Sequence, residues 1–232
     1  MKILIGCETS GTVRNAFLNK GHDVWSCDIL PADDNTNRHI QDDIRNVLEY
    51  DDWDLLMVAH PPCTRLCNSG VRWLDNPPPN KTREEMYKEL DEGASLFSHL
   101  WNCDVPRIAI ENPIMHKYAK ERILNFKKQA QTIQPYEFAE SIEAEDNVSK
   151  RTCLWLKNLP LLKATGNLTK ETARHDIHNC PPSVDRWKIR SKFHIGIAEA
   201  MANQWGSLLL KNNSFRKPSV FCSAFFLPPA PP

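Results

Sequence analysis

The sequence is short of several features that would assign it to a common class of protein. Its net charge is zero, from 29 basic and 29 acidic residues, so it has no excess of positive charge for holding nucleic acid by bulk electrostatics. No apolar run comes near the ~18 residues of a membrane span. No charged region followed by a long apolar stretch opens the chain, so we expect a cytoplasmic protein without a secretory signal or a membrane partner.

The eight cysteines lack the paired spacing of a disulfide framework or a zinc ribbon. Cys63 and Cys67 are four residues apart. A zinc site that adds His60, or the His- and Cys-containing range 175–180, is an alternative. Because no second closely spaced pair supports that alternative, we expect reduced thiols and no bound metal.

Glycine is scarce, at eight of 232 residues. The turn at residues 6–12 follows a strand-like segment and precedes a predicted helix, but it lacks the full G-x-G-x-x-G pattern of dinucleotide-binding proteins. Backbone amides and the helix dipole at such a turn can meet the polar end of a ligand. The alternative is that residues 6–12 form an ordinary connecting turn that binds no ligand.

What the chain does contain is an alternation of strand-like and helix-like segments. The predicted strands are residues 2–5, 23–27, 55–59, 107–110, 136–139 and 152–157. The predicted helices are residues 13–20, 83–101, 118–129 and 195–210. This order predicts an α/β protein with a Rossmann-like, doubly wound and mostly parallel sheet. We expect one domain over residues 1–212 and a proline-rich tail over residues 213–232.

Cys63 is the most informative residue, because the apolar strand 55–59 leads directly into its loop. Ligands of open α/β sheets bind beyond the carboxyl ends of such strands, so the thiol would face a ligand crevice. Pro61 and Pro62 restrict the loop geometry. The thiol is therefore a candidate nucleophile, with a small buried cysteine as the alternative. His60 would orient the loop, relay a proton or make a structural hydrogen bond.

Acidic residues also follow the predicted strands. Asp28 closes the second strand, where a carboxylate can hydrogen-bond the hydroxyls of a ribose. Asp43 with Ile44 suits the amino group and ring face of an adenine, with a helix cap as the alternative. Glu111 with Asn112 follows the strand 107–110 and would share a sheet edge with the nucleophile. Together these residues favour a nucleoside-bearing cofactor beside a reactive site.

The order of these motifs resembles the DNA cytosine-C5 methyltransferases, and especially the short methylase-like proteins of bacteriophages, over about residues 1–208. Pro62-Cys63 is similar to the family's nucleophile loop, and Glu111-Asn112 to its Glu-Asn pair, with Pro113 where valine is usual. Residues 150–152 are similar to the family's basic strand motif, and residues 197–206 to its last helix.

The resemblance implies S-adenosylmethionine as the cofactor. It places this cofactor against the turn at residues 6–12, with Asp28 at the ribose and with Asp43 and Ile44 at the adenine. The cofactor-binding residues that it implies are Glu8, Thr9, Ser10, Gly11, Asp28, Ile29, Asp43, Ile44 and Pro61.

The resemblance also implies a DNA (cytosine-5-)-methyltransferase. Cys63 would add to C6 of the cytosine and make C5 able to attack a methyl sulfonium. Glu111 would bind N3 and the exocyclic amine, Asn112 would hold the loop, and Arg151 would assist at the base. Near neutral pH the pKa of Cys63 must fall, and we expect Arg65, Arg151 or loop amides to lower it.

The implied partner is DNA, whose target base would flip out of the duplex. Only about 45 residues separate the basic motif from the last helix, so we expect a reduced or absent target-recognition region at residues 158–194. An aromatic ring among the cations of residues 186–192 would contact DNA, with a solvated loop as the alternative. The expected substrate contacts are Pro62, Thr64, Arg65, Trp187 and Lys188.

Two other functions stay open on the sequence. Modification of a free pyrimidine nucleotide needs no contact with a duplex and suits the zero net charge. A noncatalytic, methylase-like module would bind S-adenosylmethionine or DNA and would tolerate the loss of Cys63.

Overall fold

The computed structural model of the chain describes residues 1–183 and 186–212. The strands are β1 (Lys2–Gly6), β2 (Asp23–Asp28), β3 (His39–Gln41), β4 (Leu55–Val58), β5 (Ile108–Asn112), β6 (Gln131–Ile133) and β7 (Thr152–Lys157). The helices are α1 (Thr12–Leu18), α2 (Ile44–Val47), α3 (Arg72–Asp75), α4 (Arg83–Asn102), α5 (Lys117–Arg122), α6 (Asp176–Asn179), α7 (Arg186–Ser191) and α8 (Ile195–Asn212). A 3-10 helix spans Pro135–Phe138.

The seven strands form one sheet in the order β3-β2-β1-β4-β5-β7-β6. Strands β1 to β5 pair in parallel, whereas β7 is antiparallel to both β5 and β6. The order departs from the common dinucleotide-binding order by the insertion of β7. The chain is therefore an α/β protein with a mostly parallel sheet, which is compatible with the predicted Rossmann-like fold.

Side chains that alternate along the strands build a separate core on each face of the sheet. Ile3 and Ile5 of β1 pack with residues of α1 and α8 on one face. Leu4, between them, packs with residues of α2, α3 and α4 on the other face. All three side chains are fully buried. A strand with helices on both faces is apolar throughout, and this explains the continuous hydrophobic runs of β1 and β4.

The strand order reverses between β1 and β4. From β1 the chain builds outward through β2 and β3 on one side, and from β4 it builds through β5 on the other. The loops that leave the carboxyl ends of these parallel strands separate at this point and form a crevice, which is where open α/β sheets bind ligands.

The predicted strand at residues 136–139 is wrong. The chain forms the 3-10 helix Pro135–Phe138 there, and the edge strand β6 precedes it. Pro135 occupies the first helical position, which its fixed φ favours. The N–H of Gln134 donates to Glu137 Oε2 at 2.7 Å and closes the helix start.

The predicted helix at residues 118–129 is shorter than expected, because α5 ends at Arg122. Beyond it, the backbone of Leu124 bonds to the side chains of α4. Its N–H donates to Ser98 Oγ at 2.9 Å, and its carbonyl accepts from Asn102 Nδ2 at 3.1 Å. These contacts satisfy the backbone groups that a longer helix would otherwise pair.

None of the helices within the described residues is long and apolar enough to cross a membrane. The predicted tail, residues 213–232, lies outside the described residues.

Gly11 is the N-cap of α1, with φ at +70°. A Cβ there would overlap the guanidinium of Arg14, which is fully buried and bonded to Asp34 and, at 2.8 Å, to Ser26 Oγ. We predict that Gly11→Ala lowers the free energy of unfolding by about 3 kcal/mol, because left-handed strain adds about 1–2 kcal/mol to the loss of a buried charged hydrogen bond. Urea denaturation measures the change.

Gly21→Ala is the matched control. Gly21 has φ at +78°, but nothing lies within 4 Å of a Cβ added there. Only the backbone strain of about 1–2 kcal/mol is expected. Equal losses in the two variants would contradict the role assigned to the buried guanidinium.

Candidate active site

A cavity of about 1300 Å³ lies at the carboxyl ends of β1, β2 and β4 and extends along α4. Ligand sites of a few hundred to about 1,000 Å³ are usual, so the volume suffices for a nucleoside-sized ligand. The strand-end residues that line it are Cys7, Cys27, Asp28, Ile29, Leu30, Asp42, Asp43, Ile44, Arg45, His60, Pro62, Thr64 and Arg65. The cavity lies at the reversal of strand order described above.

Carboxylates outnumber cations on the cavity wall. The seven acidic side chains are Asp28, Asp42, Asp43, Glu84, Glu89, Asp91 and Glu92, and the three basic ones are Arg45, Arg65 and Lys88. All three of these cations are already paired. Arg45 Nε pairs with Asp43 Oδ1 at 2.9 Å, Arg65 Nε with Glu89 Oε2 at 2.6 Å and Lys88 Nζ with Glu92 Oε1 at 3.9 Å. An acidic cavity attracts a cationic ligand and repels a phosphate group.

Four of the predicted cofactor-binding residues line this cavity, namely Asp28, Ile29, Asp43 and Ile44. Asp28 Oδ1 accepts the N–H of Leu30 at 2.9 Å. Ile29 is 71% exposed and Ile44 only 5% exposed, so one isoleucine lies at the mouth and the other at the base. Asp43 also caps α2 by accepting the N–H of Arg45, whose side chain lowers the pKa of Asp43. Asp43 therefore both caps α2 and lines the cavity.

Five others do not line this cavity: Glu8, Thr9, Ser10, Gly11 and Pro61. Glu8 is fully buried and caps α1, since its carboxylate accepts the N–H groups of Val13 at 2.6 Å and Arg14 at 3.1 Å. Burial raises the pKa of Glu8 to about 7, and these bonds act in the opposite direction. Thr9 Oγ1 donates to Asp33 Oδ2 at 2.9 Å. The side chains of this turn therefore hold the loop itself.

The loop of Cys63 is bonded to the segment that follows β5. Asn68 N–H donates to the carbonyl of Ile114 at 2.9 Å, and His116 N–H donates to the carbonyl of Leu66 at 3.0 Å. An isolated antiparallel bridge joins Cys67 to Met115. These contacts fix the chain after β4 against the chain after β5, so the predicted nucleophile and the predicted Glu-Asn pair share one edge of the sheet.

Burial controls the protonation of both reactive groups. Cys63 is half-buried, and burial together with the nearby Glu111 raises the pKa of its thiol to about 12. Glu111 is 6% exposed, and burial raises the pKa of its carboxyl to about 7. The expectation of a lowered Cys63 pKa is therefore wrong.

Lys150 is the cation of this site, and the sequence did not single it out. Its charge lowers the pKa of Cys63 and of Glu111. Arg65 instead pairs with Glu89, and Arg151 is exposed and acts on Cys153. Neighbouring residues of an extended chain point to opposite sides, so Lys150 and Arg151 cannot both face Cys63. The charge that acts on Cys63 is that of Lys150.

Asn112 is fully buried, and its Nδ2 donates to the carbonyl of Pro113 at 3.0 Å. It holds the turn after β5, as the resemblance implies. Pro62 and Thr64 flank Cys63, are exposed and line the cavity, whereas Cys63 and Glu111 do not line it.

The backbone of Trp187 and Lys188 lies in α7, and their side chains lie outside what the structure describes. The predicted DNA contact at these two residues therefore stays a prediction.

No group of three or more His, Cys, Asp or Glu side chains among residues 1–183 and 186–212 is arranged to hold a metal ion. In comparisons with known proteins, no family model and no curated protein matches this chain.

Proposed function

We propose that the protein is an S-adenosylmethionine-dependent DNA (cytosine-5-)-methyltransferase with Cys63 as its nucleophile. The observation that carries the proposal is the placement of the half-buried thiol of Cys63 within electrostatic reach of the buried carboxyl of Glu111, at the ends of adjacent parallel strands and beside an acidic cavity. The motif order supports it, and the sheet is compatible with the fold that the resemblance implies.

The residues of the cavity fit the proposed cofactor. S-adenosylmethionine carries a sulfonium and an ammonium group against one carboxylate, so an acidic wall attracts it, whereas the same wall repels the pyrophosphate of a dinucleotide. Asp28 would bind the ribose hydroxyls, and Ile29 and Ile44 would contact the adenine. When bound, the cofactor supplies an electrophilic methyl group.

The protein's own residues supply the rest of the chemistry. Glu111, with its pKa at about 7, holds its proton in about half of the molecules at neutral pH and can donate it toward N3 as sulfur adds to C6. Cys63 must first lose its proton, and the charge of Lys150 stabilises the thiolate that results. Asn112 keeps the turn in place.

DNA is the proposed substrate, and its recognition region is small. Residues 158–194 contain the two short helices α6 and α7. We therefore expect a short or relaxed target sequence.

One observation favours a noncatalytic SAM- or DNA-binding module as the second candidate. With its pKa at about 12, the thiol of Cys63 is protonated at neutral pH in the free protein. Covalent trapping separates the two functions.

We predict that wild-type protein forms a covalent, cofactor-dependent adduct with DNA that contains 5-fluorocytosine, and that Cys63→Ser abolishes this adduct. The adduct persists because fluorine at C5 cannot leave as a proton does. Denaturing electrophoresis of labelled DNA from a pool of varied sequences measures it. Cys103→Ser is the control, because that half-buried thiol caps the distant end of α4. Cofactor binding without any adduct would favour the noncatalytic module.

We predict that Asp28→Ala weakens the binding of S-adenosylmethionine about tenfold, because the variant loses a carboxylate at the ribose position. Isothermal titration calorimetry measures the dissociation constant. Asp23→Ala is the matched control at the opposite end of β2, where Asp23 pairs with Arg38. Equal weakening in both variants would contradict a cofactor site at the carboxyl end of the strand.

We predict that Lys150→Ala slows the alkylation of Cys63 by iodoacetamide about three- to tenfold at pH 8, because loss of the cation raises the pKa of the thiol and so lowers the fraction of thiolate. Mass spectrometry of the Cys63 peptide measures the rate. Lys150→Arg should keep it, and so should Arg151→Ala, which removes the neighbouring exposed cation. A larger effect of Arg151→Ala would overturn the assignment of Lys150.

A further inference from the structure

We propose that His60, His194 and Asp146 form a relay that accepts the proton from C5 of the target cytosine. This inference rests on the proposed function and names the base for its last step. After methylation, C5 carries both a proton and the methyl group, and C6 is bonded to the sulfur of Cys63. Removal of the C5 proton lets the C5–H electron pair form the C5=C6 double bond while the C6–S bond breaks and the thiolate leaves.

The distal part of the relay is a buried pair. His194 Nδ1 lies 3.1 Å from Asp146 Oδ1, and the other carboxylate oxygen accepts the N–H of Gly196 at 2.5 Å, at the start of α8. The two side chains of the pair are almost fully buried, with His194 8% exposed and Asp146 9% exposed. Because a carboxylate fixes the proton of His194 on Nδ1, its Nε2 is a free lone pair.

The Asp146–His194 pair leaves one buried ring nitrogen without a hydrogen bond in the described part of the chain. His194 Nε2 is buried and has no hydrogen-bond partner among the residues that the structure describes. Buried polar atoms in native proteins are almost always hydrogen-bonded, directly or through water. A second group therefore belongs next to this nitrogen.

His60 provides the second group. Its ring packs edge-on against Phe193, the residue before His194, with 5.6 Å between ring centroids. Its Nε2 is likewise buried and unpartnered within the described residues, while the residue as a whole lines the cavity. If His60 Nε2 carries a proton toward His194 through one bridging water, then both unpartnered nitrogens are satisfied. His60 Nδ1 then becomes the lone pair that accepts the C5 proton.

Burial keeps both rings of the relay neutral, so a proton accepted by His60 must pass on to His194, whose charged form Asp146 stabilises, rather than stay on His60. Burial and the nearby Lys150 lower the pKa of His60 to about 3, and burial lowers the pKa of His194 against the opposing effect of Asp146. Both rings are thus neutral at pH 7. Glu111 does not compete for this role, because it is assigned to N3 of the base. His60 also lies in the same loop as Cys63, three residues before it.

The test separates proton removal from the steps before it. DNA with tritium at C5 of cytosine reports removal of the C5 proton, whereas trapping on 5-fluorocytosine DNA reports attack by Cys63 and methylation alone. For His60→Gln and His194→Gln we expect tritium release to fall about 100-fold. Trapping should stay within about threefold of the wild type. A methylated covalent complex should accumulate on ordinary DNA.

Two further variants make the test specific. Asp146→Asn keeps an acceptor for the N–H of Gly196 but favours the wrong tautomer of His194, so it should also slow tritium release and spare trapping. His22→Gln is the control, because His22 is 4% exposed and both of its ring nitrogens lack a partner in the described chain, yet it packs against Gly206 on a different part of the fold. It should leave both rates unchanged.

The outcomes are distinct. An equal fall in trapping and tritium release in the relay variants would overturn the relay, since it would assign the histidines to folding or to activation of Cys63. Unchanged tritium release would overturn it too. Absence of trapping in the wild-type protein would instead count against the proposed methyltransferase itself.

Discussion

Parallel pairing of β4 between β1 and β5 is the constraint on which the rest of the site depends. In this register Val58 lies opposite both Gly6 and Ile110, so three strands deliver their loops to one edge of the sheet. The strand β5 continues past this level to Asn112, which places Glu111 beside the loop of Cys63 rather than beneath it. The acidic cavity opens where the strand order reverses next to the same edge. Changes to this pairing would therefore move the nucleophile, the carboxyl and the cavity together.

Desolvation then decides the chemistry at this edge. A thiolate and a nearby buried carboxylate repel each other, so the charge of Glu111 raises the cost of ionising Cys63. With a Glu111 pKa of about 7 and a higher Cys63 pKa, the carboxyl ionises first and the thiol stays neutral at neutral pH. A neutral thiol is slow to alkylate and slow to oxidise, which would protect the proposed nucleophile between reactions. The charge of Lys150 acts in the opposite direction and lowers the pKa of the thiol.

The sequence predicted the strands that build this edge, because buried parallel strands are continuous apolar runs with clear ends. It also predicted Asp28 and Asp43 at the cavity, since both follow such strands. It missed Lys150 in favour of Arg151, because the direction of a side chain at the start of β7 depends on pairing with β5 and β6 that local pattern does not encode. The partners of Glu8 and the Asp146–His194 pair were also missed. Both depend on contacts between chain segments far apart, the latter 48 residues apart in sequence.

The zero net charge of the chain conceals a separation of charge that suits two ligands of opposite sign. Carboxylates line the cavity, where a cationic cofactor is proposed, and they are partly neutralised by paired arginines on its wall. Lys150, whose charge acts on Cys63 and Glu111, and the exposed Arg151 lie instead in the two residues before β7, and neither lines the cavity. A phosphate backbone is attracted to the second region and repelled by the first, so charge alone would direct the proposed DNA substrate toward Cys63 and away from the proposed cofactor cavity. Net charge is a sum, whereas recognition depends on where each sign lies, and for this reason a neutral protein can still bind a polyanion at one edge.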